Sequence, residues 1–460
     1  MSLAVPQAFA DGRLPAPVVR ELRQVGIPAT SVAVYVQEAG KLRPVLAHRA
    51  QEAMNPASLM KLVTTYAALE LLGPAYTWKT EIYAAAPVKD GALDGDLFIK
   101  GYGDPSLTLE NFWLLLRELR ARGVRDIRGD LVLDQRYFEA GGSDPGAFDG
   151  EPHRPYNAAP QALLVNFNAI RFRFSPGPGG VAIQADPRPP QLKIVNQVKL
   201  SGGTCNGWQD GIVPDVRPAQ EGVALTLSGS YPASCGEKDM NLAVLEPAAY
   251  IHGVFKQLWE ESGGALRGKV RLGEVPKGAR LLVVRESRPL AEAVRDINKF
   301  SNNVMARQLF LTIGAVQSGA PGTLPNAAAA VSDWLAAKGL AFPELALENG
   351  CGLSRIERIS AGHLGRLLLA AYQSPMFAEL ESSLPIVSVD GTMQKRLKER
   401  GVAGHAHIKT GSLEGVKSIA GYVFDRKGRR MAVVFLINHP KAASGKAAQD
   451  ALLEWVHNRL

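Results

Sequence analysis

Ser58 and Lys61 are the first residues of this 460-residue chain whose types and spacing could do chemistry. They stand three positions apart in "NPASLMKL", and on a helix positions i and i+3 share a face, so the hydroxyl and the amine can meet. A serine is a weak nucleophile until a base takes its proton, and a neutral amine at hydrogen-bond distance can do that. Burial lowers the pKa of a lysine, as does a second cation nearby. A helix N-terminus adds free N–H groups and a positive dipole end, which favour negative charge developing on an attacked carbonyl. The pair alone is weak evidence. Ser-x-x-Lys arises about once by chance at this length and average composition, and a snorkelling lysine behind a capping serine explains it as well.

Two partners follow in order. "KFSNN" places Ser301 and Asn303 at a break within helical sequence, 240 positions after Lys61, and "HIKTGS" places Lys409, Thr410 and Gly411 at the end of a predicted strand. Singly, these are a helix cap and a solvated strand end; jointly and in this order they form the motif set of penicillin-recognising serine enzymes. On this trio the chain resembles the low-molecular-mass class C penicillin-binding proteins, the serine D-alanyl-D-alanine carboxypeptidases and endopeptidases. The likeness continues through "GYGDPSLT", "YNAAPQALLVNFN", "GLSRIERIS", "SLPIVSVDGTM" and "KTGSLEGVKSIAGYV", and so spans nearly the whole chain.

The resemblance implies a role for each matched residue. Ser58 attacks the carbonyl between two D-alanines and carries the acyl group, with Lys61 as its base. Ser301 relays a proton, Asn303 orients Lys61 and binds the substrate amide, and Lys409 keeps Lys61 neutral by repulsion and attracts the terminal carboxylate. Thr410 and Ser412 assist through their hydroxyls, Gly411 lets the strand approach the substrate, and the N–H groups of Ser58 and Ser412 form an oxyanion hole. The edge of that strand pairs with the peptide. Expected partners are peptidoglycan peptides and, as covalent ligands, β-lactams; no cofactor or metal is expected.

The elements that must position these residues are legible in outline. Asn55 as N-cap, Pro56 and the stop at Gly73-Pro74 predict a helix over 56–72, apolar on nearly every face and therefore buried. Residues 30–50 read as a β-hairpin; "HAHIKTG", "SIAGYVFD" and "RMAVVFLINH" read as strands, and a helix closes the chain. Between them, Gly/Pro-punctuated strand-like sequence fills 81–264, with 165–245 as a candidate nested module. The fold class expected is α+β: a penicilloyl-serine-transferase (β-lactamase-like) domain from 1–80 and 265–460, its antiparallel sheet flanked by helices, interrupted by a large β-rich insertion.

Composition and lesser candidates complete the picture. With 46% hydrophobic and 21% charged residues the chain can bury a large core, and no apolar run is long enough to span a bilayer as a helix. The net charge of +8 has no Lys/Arg-dense run behind it, which argues against nucleic acid. Ala8-Phe9-Ala10 resembles the small-residue end of a signal peptide, so the chain reads as a trimmed, exported, periplasmic protein. Cys205 and Cys235 sit in turn-like sequence and are candidates for a disulfide worth ~3 to 4 kcal/mol, or else two unrelated buried thiols. The family usually has Asp-Gly-Ser-Gly-Leu-Ser where this chain has "NGCGLS"; Cys351 there is expected to be buried and inert. His405 and His407 share a strand spacing that can bind metal but lack a third ligand. Asp149 and Glu151 could face the ammonium of a diamino acid, or simply belong to an exposed loop. A serine β-lactamase or esterase is the competing activity, but no Glu-x-x-Leu-Asn follows Ser301; a non-catalytic peptidoglycan-binding scaffold should have lost a catalytic residue, and none is lost.

Overall fold

The structure, a computed structural model, describes residues 12–139, 144–220 and 222–459, so the signal-like Ala8-Phe9-Ala10 lies outside the described residues. The apolar runs at both ends of the chain meet in one five-stranded antiparallel sheet. Its order is Leu46–His48, Val32–Glu38, Arg430–Asn438, Val416–Phe424 and Ala406–Leu413. The inner strands are buried almost throughout because helices cover both faces, which is why they read as apolar runs rather than alternations. On one face Val32, Val34, Phe435 and Ile437 share a core with Leu452 and Val456 of the helix Lys446–His457 and with Val18 and Leu22 of Ala16–Gln24. On the other, Tyr35 meets Gly365 of the helix Ala361–Tyr372. A Cβ at Gly365 would lie 2.2 Å from the Tyr35 ring, so only glycine lets helix and sheet approach this closely. The helix Met60–Leu71 is buried against Leu290–Phe300, Asn303–Ser318 and Leu324–Ala337.

The residues up to Thr77 and those from Arg288 onward form one compact unit, and Trp78–Ser287 forms a second. The sequence texture returns the chain to the first unit at residue 265; in the structure the return comes at Arg288. The reason is strand pairing: Ala265–Leu266, Val270–Leu272 and Arg280–Glu286 extend sheets begun by Asp126–Ile127, Leu131–Asp134 and Lys79–Ala84. The two ends of the second unit are also tied together, with the Trp78 N–H donating to Ser287 Oγ at 3.0 Å and the Ser287 N–H to the Trp78 carbonyl at 2.9 Å.

Residues 165–245, the candidate nested module, fall within the second unit. They form two three-stranded sheets, but Phe172, Phe174, Leu225 and Leu227 lie in the same apolar core as Leu97, Ile99, Leu115 and Leu131. Cys205 and Cys235 are joined by a disulfide with their Cα atoms 4.9 Å apart. Inside the loop it closes, Trp208 and Tyr231 pack edge to face with centroids 5.4 Å apart. Among the described residues no helix is long and apolar enough to cross a membrane. Replacing both cysteines (Cys205→Ser with Cys235→Ser) is expected to lower the stability of the second unit by about 3 to 4 kcal/mol through loop-closure entropy. Tryptophan fluorescence during urea unfolding measures this; an unchanged midpoint would show that the core alone orders the loop.

Candidate active site

The segment carrying Ser58 does not start as a regular helix. Instead of a helix from residue 56 capped by Asn55, a 3-10 turn at Ala57–Leu59 feeds the helix Met60–Leu71. Asn55 spends its side chain on a tighter turn, its Oδ1 accepting from the Ala57 N–H at 2.8 Å. Its backbone is clamped to the sheet: the Asn55 N–H donates to Asn438 Oδ1 at 2.9 Å, and Asn438 Nδ2 donates back to the Asn55 carbonyl at 3.0 Å. Ala57 is held at φ +48°, a left-handed conformation that costs an alanine on the order of 1 kcal/mol. The result is that Ser58 reaches the surface between the buried Ala57 and Leu59.

Lys61 is wholly buried, and its Nζ lies 3.1 Å from Ser58 Oγ, 2.7 Å from Asn303 Oδ1 and 2.5 Å from the Cys351 carbonyl oxygen. Burial lowers its pKa to about 8, against the opposing influence of Cys351 and Glu357 and with help from Arg307. A neutral amine has two N–H bonds and one lone pair. The Cys351 carbonyl and the Asn303 amide oxygen can only accept, so they take the two N–H bonds and leave the lone pair facing the Ser58 hydroxyl. That is the geometry a general base needs. The repulsion expected from Lys409 is not the main cause; desolvation is. Lys409 is itself pushed well below the usual lysine range, first by burial and then by Lys61.

The break between helices is built as a hinge of side chains. Ser301 ends Leu290–Phe300 at φ +57°, and Asn302 caps Asn303–Ser318 by accepting from the Met305 N–H at 3.1 Å. With Asn302 doing the capping, Ser301 and Asn303 are released from that duty. Ser301 Oγ accepts from Lys409 Nζ at 2.8 Å, and the same amine donates to the Thr410 carbonyl at 2.8 Å.

Lys409 lies within the edge strand Ala406–Leu413 rather than at its end. The Ile408 N–H points away from the sheet to the Pro385 carbonyl at 2.7 Å, and by strand alternation the Ser412 N–H points the same way. Upstream the edge is covered by an Ile386–His407 bridge; beyond Lys409 no strand pairs with it among the described residues. Gly411 is needed for a reason additional to substrate approach. A Cβ there would lie 2.3 Å from Ser418 Oγ, 2.8 Å from the Pro56 carbonyl and 3.0 Å from the Ser58 nitrogen. The strand thus packs directly on the nucleophile turn, and Ser418 Oγ bonds it by donating to the Pro56 carbonyl at 2.7 Å. Of the two hydroxyls, Thr410 Oγ1 donates to Thr392 Oγ1 at 2.8 Å, whereas Ser412 Oγ accepts from its cross-strand neighbour Lys417 at 2.7 Å.

A profile of the D-Ala-D-Ala carboxypeptidase 3 (S13) family matches residues 16–459. The chain belongs to that family. It is a D-Ala-D-Ala carboxypeptidase of the low-molecular-mass class C penicillin-binding proteins. The D-alanyl-D-alanine carboxypeptidase of Actinomadura sp. (strain R39) is 32% identical over 421 residues, covering 87% of this chain and 76% of that protein. The crystal structure of penicillin binding protein 4 (dacB) from Haemophilus influenzae superposes with a TM-score of 0.81 at 25% identity, covering 96% of this chain and 99% of that one. The penicillin G-acylated Bd3459 endopeptidase of Bdellovibrio bacteriovorus shares the fold at 17% identity, with a TM-score of 0.51 over 92% of this chain and 91% of that one.

In this S13 chain the Cys351 thiol and the two histidines have partners other than Ser58 and Lys61. Cys351 contributes its carbonyl; its thiol is buried, raised in pKa by burial, and accepts from the Leu353 N–H at 3.4 Å. His407 Nδ1 lies 3.1 Å from the Glu381 carbonyl, and His405 stacks on His457, so the two histidines face different partners. Among the described residues no group of three or more His, Cys, Asp or Glu could hold a metal ion. Asp149 and Glu151 belong to the second unit, where Asp149 organises its own loop: it accepts from Tyr156 Oη at 2.9 Å, Asn157 Nδ2 at 2.8 Å and the Glu151 N–H at 3.0 Å. Glu151 pairs with Arg154 at 3.4 Å.

Sequence reasoning missed the Cys351 carbonyl, Thr392, Lys417 and Ser418. Only the first left a sequence trace, in the two glycines of "NGCGLS": both take positive φ, and a Cβ on Gly352 would lie 2.0 Å from the Ala57 carbonyl oxygen. Gly411→Ala is expected to push the strand off the Ser58 turn and slow Ser58 acylation by about 100-fold while leaving far-ultraviolet circular dichroism unchanged. Wild-type acylation in that variant would mean the packing is slack.

Proposed function

We propose that this chain hydrolyses D-alanyl-D-alanine bonds of peptidoglycan stem peptides through a Ser58 acyl-enzyme. It would both trim terminal D-alanine and cut D-alanyl cross-links, in the periplasm, and be inhibited when β-lactams acylate the same serine. The observation that carries this reading is the buried Lys61 amine, 3.1 Å from Ser58 Oγ with its other bonds committed to two acceptors.

Ser58 Oγ attacks the carbonyl of the penultimate D-alanine while Lys61 Nζ takes its proton. The developing oxyanion is met by the N–H groups of Ser58 and Ser412. The substrate backbone lies along the open edge of Ala406–Leu413 as an added strand. Ser301, whose hydroxyl accepts from Lys409, would pass a proton to the leaving amine as the carbon–nitrogen bond breaks, with the proton taken by Lys61 restoring the balance. The hydroxyl pair Thr410–Thr392 at that edge suits the terminal carboxylate, whose arrival would favour the charged form of the Lys409 amine behind it. Water then attacks the acyl-enzyme, with Lys61 again as base.

A β-lactamase on this scaffold needs a second base to speed deacylation, and Lys61's neighbours are a carbonyl, an amide and the nucleophile itself. A fluorescent penicillin applied to wild type and Ser58→Ala, followed by a D-Ala-D-Ala peptide and cross-linked muropeptides, tests the proposal. A lasting Ser58-dependent adduct with D-alanine release is expected. Rapid penicillin turnover without peptide cleavage would select the lactamase, and no adduct at all the scaffold.

Lys61→Ala should slow acylation by about 10² to 10⁴-fold with the fold intact. In the wild type, only neutral Lys61 can act. Its neutral fraction grows as pH rises through about 8, so the acylation rate should climb about tenfold per unit below that pH and level off above it. A profile flat from pH 6 to 9 would remove Lys61 from the role of base.

A further inference from the structure

Glu357 is wholly buried and takes no part in the chemistry assigned above. Its Oε1 accepts three consecutive backbone N–H groups, those of Glu348 at 3.1 Å, Asn349 at 3.0 Å and Gly350 at 3.0 Å. Its Oε2 is equally buried and has no hydrogen-bond partner among the described residues. The segment gathered by this carboxylate is the one that touches the nucleophile helix. The Gly350 carbonyl accepts from Thr64 Oγ1 at 2.6 Å, the Cys351 carbonyl from Lys61 Nζ at 2.5 Å, and Gly352 lies against the Ala57 carbonyl. The far end is fastened as well. Ser354 Oγ accepts from the Ile356 and Glu357 N–H groups, both at 3.0 Å, and the Ser354 carbonyl from Asn55 Nδ2 at 2.9 Å. A ten-residue segment, 348–357, is therefore folded around one carboxylate and delivers its carbonyls to the catalytic helix.

We propose that Glu357 is a positioning residue for catalysis: it aims the Cys351 carbonyl, and through it the Lys61 lone pair, and its negative charge strengthens Lys61 as a base. The proposal rests on the reading of Lys61 as that base. Burial raises the pKa of Glu357, while the three N–H donors and Lys61 oppose that shift by stabilising the carboxylate. Around Lys61, burial is the largest influence and disfavours the ammonium, Cys351 and then Glu357 favour it, and Arg307 disfavours it. Lys409, which holds Ser301, is the second amine of the cluster, and Ser58 and Asn303 carry no charge. Removing the carboxylate's charge while keeping its acceptor oxygen therefore makes Lys61 easier to deprotonate and weaker as a base.

Glu357→Gln does this, because the amide oxygen can still accept the three N–H groups. Its acylation by fluorescent penicillin should show the acid limb moved to lower pH by about 1 unit, with the plateau rate reduced but less than about tenfold. Glu357→Ala removes the clamp and should lower the plateau on the order of 100-fold. An acid limb at the wild-type pH in the Gln variant, or a wild-type plateau in the Ala variant, overturns the proposal. If the Ala variant does not fold, the pH profile of the Gln variant decides. Lys61→Ala separates the two levels of the argument. Acylation surviving in it overturns the role of Lys61, whereas its loss together with an unmoved Gln profile overturns the role of Glu357 alone.

Discussion

Everything at this site depends on one amine being held dry with two of its hydrogen bonds committed. In water, Lys61 would be protonated near neutral pH and its lone pair unavailable. Inside the helix bundle desolvation penalises the charge, and the Cys351 carbonyl and Asn303 amide satisfy the neutral form without offering it a proton or a direct counter-ion. A carboxylate in either place would have made a salt bridge and a poor base. The acceptors come from segments distant in sequence, so the base exists only when the sheet, the helix Met60–Leu71 and the helix Asn303–Ser318 are assembled.

That requirement explains how tightly backbone approaches backbone around Ser58. Gly411 and Gly352 bring two strands of chain against the nucleophile turn from different directions, each in a space where a Cβ would overlap backbone atoms. The Asn55–Asn438 pair and Ser418 fix the same turn to the sheet. Ala57 can persist in a left-handed conformation because so many contacts over-determine it. The Ser58 and Ser412 N–H groups proposed as the oxyanion hole would thereby be placed before any substrate arrives, and preorganised donors of this kind cost no rearrangement during reaction.

The second unit begins and ends on paired strands, Lys79–Ala84 beside Arg280–Glu286. Its own order comes from a single apolar core and one disulfide rather than from the catalytic sheet. The two parts of the chain can therefore satisfy separate stability requirements.

Much of this was present in the linear sequence. The residue types and order of Ser58, Lys61, Ser301, Asn303 and Lys409 point to the proposed chemistry, because few side chains can act as nucleophile, base and relay. The runs at 32–38, 416–424 and 430–438 specify a buried sheet, because apolar periodicity is a local property. The pairing of Cys205 with Cys235 was open to inference from the turn-like sequence around both. What tertiary structure decided are the contacts made by groups without sequence identity, and by residues whose partner lies far away. A backbone carbonyl is the same at every position, so the two glycines beside Cys351 marked a tight approach but not that its carbonyl faces Lys61. The extension of the second unit to Ser287 depends on strand pairing over about two hundred positions, and Glu357 looks like any other surface acid until the fold closes over it.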